Sequence, residues 1–337
     1  MHQNTKKLKI LLIFTASFLL VFSLTSCGLF KGNNDKKFTE TDFLLDTVVS
    51  VTVYSEEDAL VIPDCLALCA EYEKLFSRTD PESELYALNQ RGSARVSPEL
   101  LELISTALYY CELSGGRFDI TMGKLSDAYG FSSDSPALPP AGDIAEMLSH
   151  TGYEKILIDG STVTLTDPGA VIDLGAIAKG YIADRLGELL REKGVESAII
   201  DLGGNILCLG SKPDGSDYNV GIQYPYRDSN LIVTSAGLSD MSVVTSGVYQ
   251  RYFEHEGKTY HHILDPETGL SIDNGLLSVS IISEKSVDCD ALSTTVFSMG
   301  LEDGLELVNS LPGVWALFIT EDMELVYSEG FEDEFHK

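Results

Sequence analysis

The stretch Val287-Asp288-Cys289-Asp290-Ala291-Leu292-Ser293-Thr294-Thr295 sets a carboxylate and a hydroxyl four positions apart at the start of a helical segment. Residues at i and i+4 share one helix face, so Asp290 and Thr294 can point at the same ion. Oxygen ligands of this kind suit Mg²⁺, which takes one or two carboxylates and completes its shell with water and phosphate. An acidic first turn also complements the helix dipole, and this cluster alone does not separate the two roles.

A second cluster, residues 257–269 (GKTYHHILDPETG), ends a strand in Asp-Pro and Thr-Gly turn chemistry. A histidine beside a phosphoryl-transfer site can orient an acceptor hydroxyl or take its proton. Taken alone, two neighbouring strand histidines, His261 and His262, read first as side chains on opposite faces, one packed and one exposed. The third cluster, residues 171–181 (VIDLGAIAKGY), runs a strand through small residues into a helix, whose N-terminus favours phosphate. It is neither a P-loop nor a GxGxxG turn. Lys179 reads as a phosphate contact or as a solvated helix-face lysine. The fourth pairs Asp201-Leu202-Gly203-Gly204-Asn205 with Thr245-Ser246-Gly247, strand ends where a planar ligand can approach the backbone, or simple tight turns.

The elements that must position these residues follow from periodicity and punctuation. Residues 46–54 (DTVVSVTVY) read as a strand and 63–76 as a helix with proline in its first turn. Ser97-Pro98 opens a second helix, which Gly115-Gly116 stops. Residues 132–142 (SSDSPALPPAG) are linker-like, 143–150 a short helix, and Asp159-Gly160 the turn of a hairpin. Residues 175–193 read as a helix, followed by strands over 198–202, 206–209, 218–223, 248–264 and 276–283. Helices over 287–299 and 302–309 and a hairpin over 315–327 complete the chain. Many antiparallel strands with a few long helices define an α+β class of mixed, largely antiparallel sheets.

The chain has 337 residues, 44% of them hydrophobic, which excludes disorder and a disulfide miniprotein. Its 23 basic against 52 acidic residues give a net charge of −29, which repels nucleic-acid backbones and argues for a metal cation between protein and any phosphate ligand. Lys6, Lys7 and Lys9 precede an apolar run from Ile10 to Leu24 and the sequence Leu24-Thr25-Ser26-Cys27, a secretory signal whose end resembles a bacterial lipobox. The expected organisation is a signal peptide over 1–26, a lipid-bearing Cys27 opening a tether over 27–37, and a folded body over 38–337. Removing the signal takes three lysines and no acids, leaving −32. The remaining cysteines, Cys65, Cys69, Cys111, Cys208 and Cys289, lack a second ligand pair at zinc spacing and read as buried small hydrophobes.

Taken in order, the clusters resemble the ApbE family of flavin transferases. The matching segments are residues 76–85 (FSRTDPESEL), 118–121 (FDIT) with Gly130-Phe131, 173–180 (DLGAIAKG), 201–205 (DLGGN), 245–247 (TSG), 262–266 (HILDP) and 290–294 (DALST). The resemblance implies an ApbE-like, T-fold-related architecture with FAD in a cleft between subdomains. It also implies an enzyme that uses FAD and Mg²⁺, attaches FMN through its phosphate to a threonine of a client protein, and releases AMP. By position, the backbone oxygen of Ala176 and the side chains of Asp290 and Thr294 would hold the metal. Asp119, Asp173 and Lys179 would meet FAD, with Arg117, Phe118 and Leu264 as lesser contacts. Leu45 and Thr79 stand at two further flavin-contact positions, where some relatives carry Met and an aromatic residue. Ser293 stands where some carry Asp. His262 matches the active-site histidine. Clients of the Rnf and Nqr type, or other extracytoplasmic FMN-binding domains, would share the membrane surface to which the lipid on Cys27 anchors the enzyme. An FAD pyrophosphatase yielding FMN and AMP, and a lipid-anchored flavin-binding protein, are the alternatives.

Overall fold

The computed structural model describes residues 36–226 and 231–335. The signal peptide, Cys27 and nearly all of the tether therefore lie outside the described residues. At Lys37 a single unit begins and runs to the end of the chain.

Strand β1 (Phe38–Leu44) turns directly into β2 (Thr47–Val53). The two central residues of that turn, Leu45 and Asp46, have φ of 55° and 56°. Positive φ at both central residues is the signature of a hairpin turn whose twist matches its strands, and leucine is an unusual occupant of it. Helices α1 (Ile62–Phe76), α2 (Glu84–Arg91) and α3 (Pro98–Leu113) follow, with the short β3 (Ser93–Arg95) between the last two. Ser83 and Ser97 cap α2 and α3 by accepting the amides of Tyr86 and Leu100. Two short helices come next, α4 (Gly123–Tyr129) and α5 (Ala141–Leu148), then a hairpin of β4 (Ile156–Asp159) and β5 (Thr162–Leu165).

Helix α6 (Ala178–Glu192) leads to β6 (Ala198–Leu202) and β7 (Ile206–Leu209). A separate antiparallel pair, β8 (Tyr218–Gln223) and β9 (Ile232–Leu238), precedes β10 (Met241–Gly247). The small hairpin of β11 (Tyr252–His255) and β12 (Lys258–His261) is followed by β13 (Leu276–Ser283), α7 (Ser286–Met299) and α8 (Leu301–Ser310). The last elements are β14 (Val314–Thr320), β15 (Leu325–Tyr327) and α9 (Phe331–Phe335).

Eight strands form one sheet in the order β1-β2-β6-β7-β10-β13-β14-β15. Every neighbouring pair in it is antiparallel. Both faces are covered, and alternate residues divide between them. Val244, Ile281 and Phe318 pack into the helical core, while their neighbours Val243, Ile282 and Leu317 pack against β8, β9 and α9. That two-sided burial is why β14 reads as a continuous apolar run rather than as an alternating one, and why even the serines of β13 are buried. The α+β class expected from the sequence is the one observed.

The structure corrects several boundaries. The expected strand over 248–264 is two strands, broken where Glu256, at φ 51°, and Gly257, at φ 78°, reverse the chain. The helix expected from residue 175 begins at Ala178, because residues 174–177 form a turn in which the amides of Ile177 and Ala178 both bond Leu174 O. Strands β1, β3, β9 and β10 and helices α2, α4 and α9 had no counterpart in the periodicity. All five cysteines of the body are buried and free, as expected of small hydrophobes.

Candidate functional site

A cleft of about 1420 Å³ opens beside α6 and α7. That exceeds the roughly 300–1,000 Å³ of common small-molecule sites. It is lined by all twelve residues singled out above as FAD, metal or proton contacts: Leu45, Thr79, Arg117, Phe118, Asp119, Asp173, Ala176, Lys179, His262, Leu264, Asp290 and Thr294. Residues spread over 250 positions of sequence thus share one wall system, because the β1–β2 turn, the ends of α1 and α3, the α6 entry and α7 all reach it.

At its centre two helices interlock. Asp290, on α7 and 4% exposed, accepts the amide of Gly180 on α6 through Oδ2 at 2.8 Å. Asp184, on α6, accepts the amides of Ser286 and Val287 at 2.8 and 3.0 Å and so caps α7, whose own N-cap residue Lys285 makes no side-chain cap. Each helix carries the carboxylate that satisfies the free N–H groups of the other. Only glycine permits this approach: a Cβ at position 180 would lie 2.3 Å from Ser286 O and 2.7 Å from Asp290 Cβ. Burial pushes the Asp184 carboxyl up to about 6 against the pull of those two amides.

Gly180 donates to Asp290, and no amide among the described residues donates to the Ala176 carbonyl four positions earlier. Ala176, whose carbonyl is thus left free of an amide donor, lines one cleft with Asp290 and Thr294, and Thr294 Oγ1 is also 3.1 Å from Ser246 Oγ. Among the described residues no three His, Cys, Asp or Glu side chains form a metal cluster. A set of one acid, one hydroxyl and one carbonyl is too sparse for a closed all-protein cage. It fits Mg²⁺, a hard ion that keeps waters and takes phosphate oxygens alongside one or two carboxylates. Lys179 Nζ stands 4.0 Å from Asp290 Oδ1 and 3.3 Å from Gly175 O, in the first turn of α6.

The two histidines separate as one packed and one cleft-facing. His261 is buried, its Nε2 2.8 Å from Ile272 O and its Nδ1 accepting the Ile263 amide, and it has a structural role. His262 lines the cleft, its ring partly shielded from solvent, while Nδ1 is sealed off without a hydrogen-bond partner. That desolvation, reinforced by the nearby charge of Arg251, pushes its pKa down to about 3. The ring is therefore neutral at physiological pH.

The remaining contacts differ in how free they are. Asp173 is held by Arg78, whose Nε donates to Oδ2 at 2.9 Å and whose other nitrogens reach Asp127 and Ser126. Both oxygens of Asp119 are committed inside the chain, to Thr121 and to the Tyr153 amide at 2.9 Å, so its carboxylate shapes the loop that borders the cleft. Burial raises its pKa against those bonds. Arg117 lies 4.0 Å from Asp265 and 3.9 Å from Glu267. Phe118 and Leu264 are buried apolar wall. Leu45 holds its left-handed backbone with its amide on Glu73 Oε1 at 2.7 Å, and Thr79 sits on the open rim near Ser77.

Four residues carry roles that the sequence reading did not assign: Arg78, Gly180, Asp184 and Arg251. Gly180 and Asp184 stand at i and i+4, and that spacing was the available signal for a shared helix face. The pairing of Arg78 with Asp173 spans 95 positions and left none.

The sequence profile of the ApbE family matches residues 45–318. Among curated proteins, the chain is 34% identical over 301 residues to a FAD:protein FMN transferase of Klebsiella pneumoniae, covering 88% of this chain and 93% of that protein. It is 35% identical over 320 residues to the FAD:protein FMN transferase of Treponema pallidum, covering 88% of each. Among solved structures, the ApbE protein of Thermotoga maritima superposes with a TM-score of 0.82 at 32% identity, covering 89% of this chain and 99% of that one.

Proposed function

The chain belongs to the ApbE family, and from that premise we infer that it is an enzyme transferring FMN from FAD to a client protein. The acceptor we propose is a threonine hydroxyl, which forms a phosphoester with the FMN phosphate as AMP leaves. The observation that carries this reading is that Ala176, Asp290 and Thr294 line one cleft with Lys179 and His262.

Phosphoryl transfer asks a protein chiefly for positioning and charge neutralisation. Four cations line the cleft, Arg78, Arg117, Lys179 and Arg251, against eight carboxylates, Asp46, Glu73, Asp80, Asp119, Asp127, Asp173, Asp201 and Asp290. So acidic a wall repels a pyrophosphate. Mg²⁺ held by Ala176, Asp290 and Thr294 would supply the missing positive charge and polarise the phosphate. Lys179 adds a point charge beside the same acid. His262, neutral and sealed at Nδ1, presents its other nitrogen to take the proton of the attacking hydroxyl.

For location, we propose a lipoprotein anchored through Cys27 on the outer face of the cell membrane, supported by the basic start, the apolar run and the Leu-Thr-Ser-Cys sequence. Its clients would be extracytoplasmic FMN-binding domains of membrane redox complexes.

Incubation with FAD, Mg²⁺ and a threonine-bearing FMN-binding domain tests the reaction. A fluorescent band that survives denaturing electrophoresis, with AMP released in equal amount, is the expected result. Free FMN and AMP with no labelled band would identify a pyrophosphatase instead, and FAD binding without AMP release a flavin-binding protein.

A further inference from the structure

The four cations of the cleft are not equivalent. Arg78 is paired with Asp173 and Asp127, Arg117 lies within 4.0 Å of Asp265, and Lys179 lies 4.0 Å from Asp290. Among the described residues no carboxylate lies within ion-pair distance of Arg251, although the chain carries 52 acids and the cleft wall is rich in them. An exposed arginine kept clear of acids in so acidic a protein holds its full charge for something else. The guanidinium fork matches phosphate oxygens bidentately.

The backbone around it is fixed. Gln250 Nε2 donates to Thr245 O at 3.0 Å, the Val248 amide to Leu277 O at 3.0 Å, and the His262 amide to Arg251 O at 3.1 Å. A Cβ on Gly247 would lie 2.5 Å from the Tyr249 ring, so the loop that carries Arg251 is folded tightly on itself. That last amide bond also ties Arg251 to the strand end bearing His262, and the charge of Arg251 reaches the His262 ring. The unpaired cation is therefore presented next to the group placed to take the acceptor's proton.

We propose that Arg251 is a further substrate-contacting residue of this cleft, pairing through its guanidinium with the pyrophosphate of the bound dinucleotide. The inference rests on the reading of the protein as an FAD-dependent transferase. It assigns the anionic part of FAD to the loop between β10 and β11, beside the residues of α6 and α7.

The test compares two flavins that share a ring, FAD carrying the pyrophosphate and its adenosine and riboflavin neither. FAD and riboflavin binding are measured by flavin fluorescence in EDTA, for the wild type, Arg251→Gln and Arg251→Lys. Losing a charge-assisted bond to phosphate is expected to weaken FAD binding by about tenfold or more in Arg251→Gln. Riboflavin binding stays unchanged, and Arg251→Lys falls between. FAD binding equal to wild type in Arg251→Gln overturns the inference, even if transfer to the client is impaired, since Arg251 then serves the acceptor. Equal loss for FAD and riboflavin also overturns it, by making the residue structural. A wild type that binds neither flavin overturns the functional reading itself.

Discussion

Gly180 and Asp290 meet where α6 and α7 cross: the glycine amide donates to Asp290 Oδ2 at 2.8 Å, and a Cβ on the glycine would collide with the Asp290 Cβ at 2.7 Å. The carboxylate proposed to hold the metal is thus oriented by the backbone of the facing helix. One oxygen caps α6, and Oδ1 is left toward the cleft. The orientation is set before any ligand arrives, which is the requirement for electrostatic preorganisation.

Gly180→Ala is expected to lower stability by about 1–3 kcal/mol, the range for overpacking a close contact. The obstructing atoms are backbone, Ser286 O among them, and cannot swing aside. Denaturant unfolding measures it, and transfer activity falls further than stability because Asp290 is displaced.

Asp184→Ala removes the side chain that, among the described residues, caps α7 and is expected to cost about 1–2 kcal/mol. Since α7 carries both Asp290 and Thr294, the Mg²⁺ concentration for half-maximal transfer should rise in this variant. Asp184→Asn, which keeps one acceptor oxygen, is expected to recover part of both losses.

His262 gives a prediction in pH. Its folded pKa, about 3, is depressed below the ordinary histidine value of 6.5 because the cleft desolvates it. Between those values the unfolded chain binds a proton that the folded one does not, so stability falls as pH drops through the window. His262→Gln should therefore flatten the decline of stability below pH ~6.5, read as melting temperature against pH. At neutral pH the same variant is expected to transfer FMN at least 100-fold more slowly, in the range (~10²–10⁴) for loss of a general base.

Much of this site was legible in the chain. The i,i+4 placement of Asp290 and Thr294 needs only helical geometry, and α7 provides it. Strands β6, β7, β8 and β13 also lie where alternation and apolar runs place them. What escaped was decided by distant partners. Strand β1 is almost wholly exposed at a sheet edge, so burial leaves no pattern in it. Residues 241–247 mix Ser and Thr into a strand because hydroxyls there find partners on β13 and α7, as Thr245 does with Ser280 and Ser246 with Ser293. The long strand expected over 248–264 fails at Glu256-Gly257, where a left-handed turn outweighs the β-propensity of its flanks.

The central claim is that Asp290 holds the cation that opens the dinucleotide to attack, and Asp290→Asn tests it most directly. The amide keeps an oxygen for the Gly180 N–H and removes only the charge. Covalent FMN transfer to a threonine-bearing client is measured against Mg²⁺ concentration, with unfolding curves to show that the fold persists. The account predicts a folded protein whose transfer is abolished at Mg²⁺ levels that saturate the wild type. Wild-type rate and wild-type Mg²⁺ dependence in that variant would contradict it.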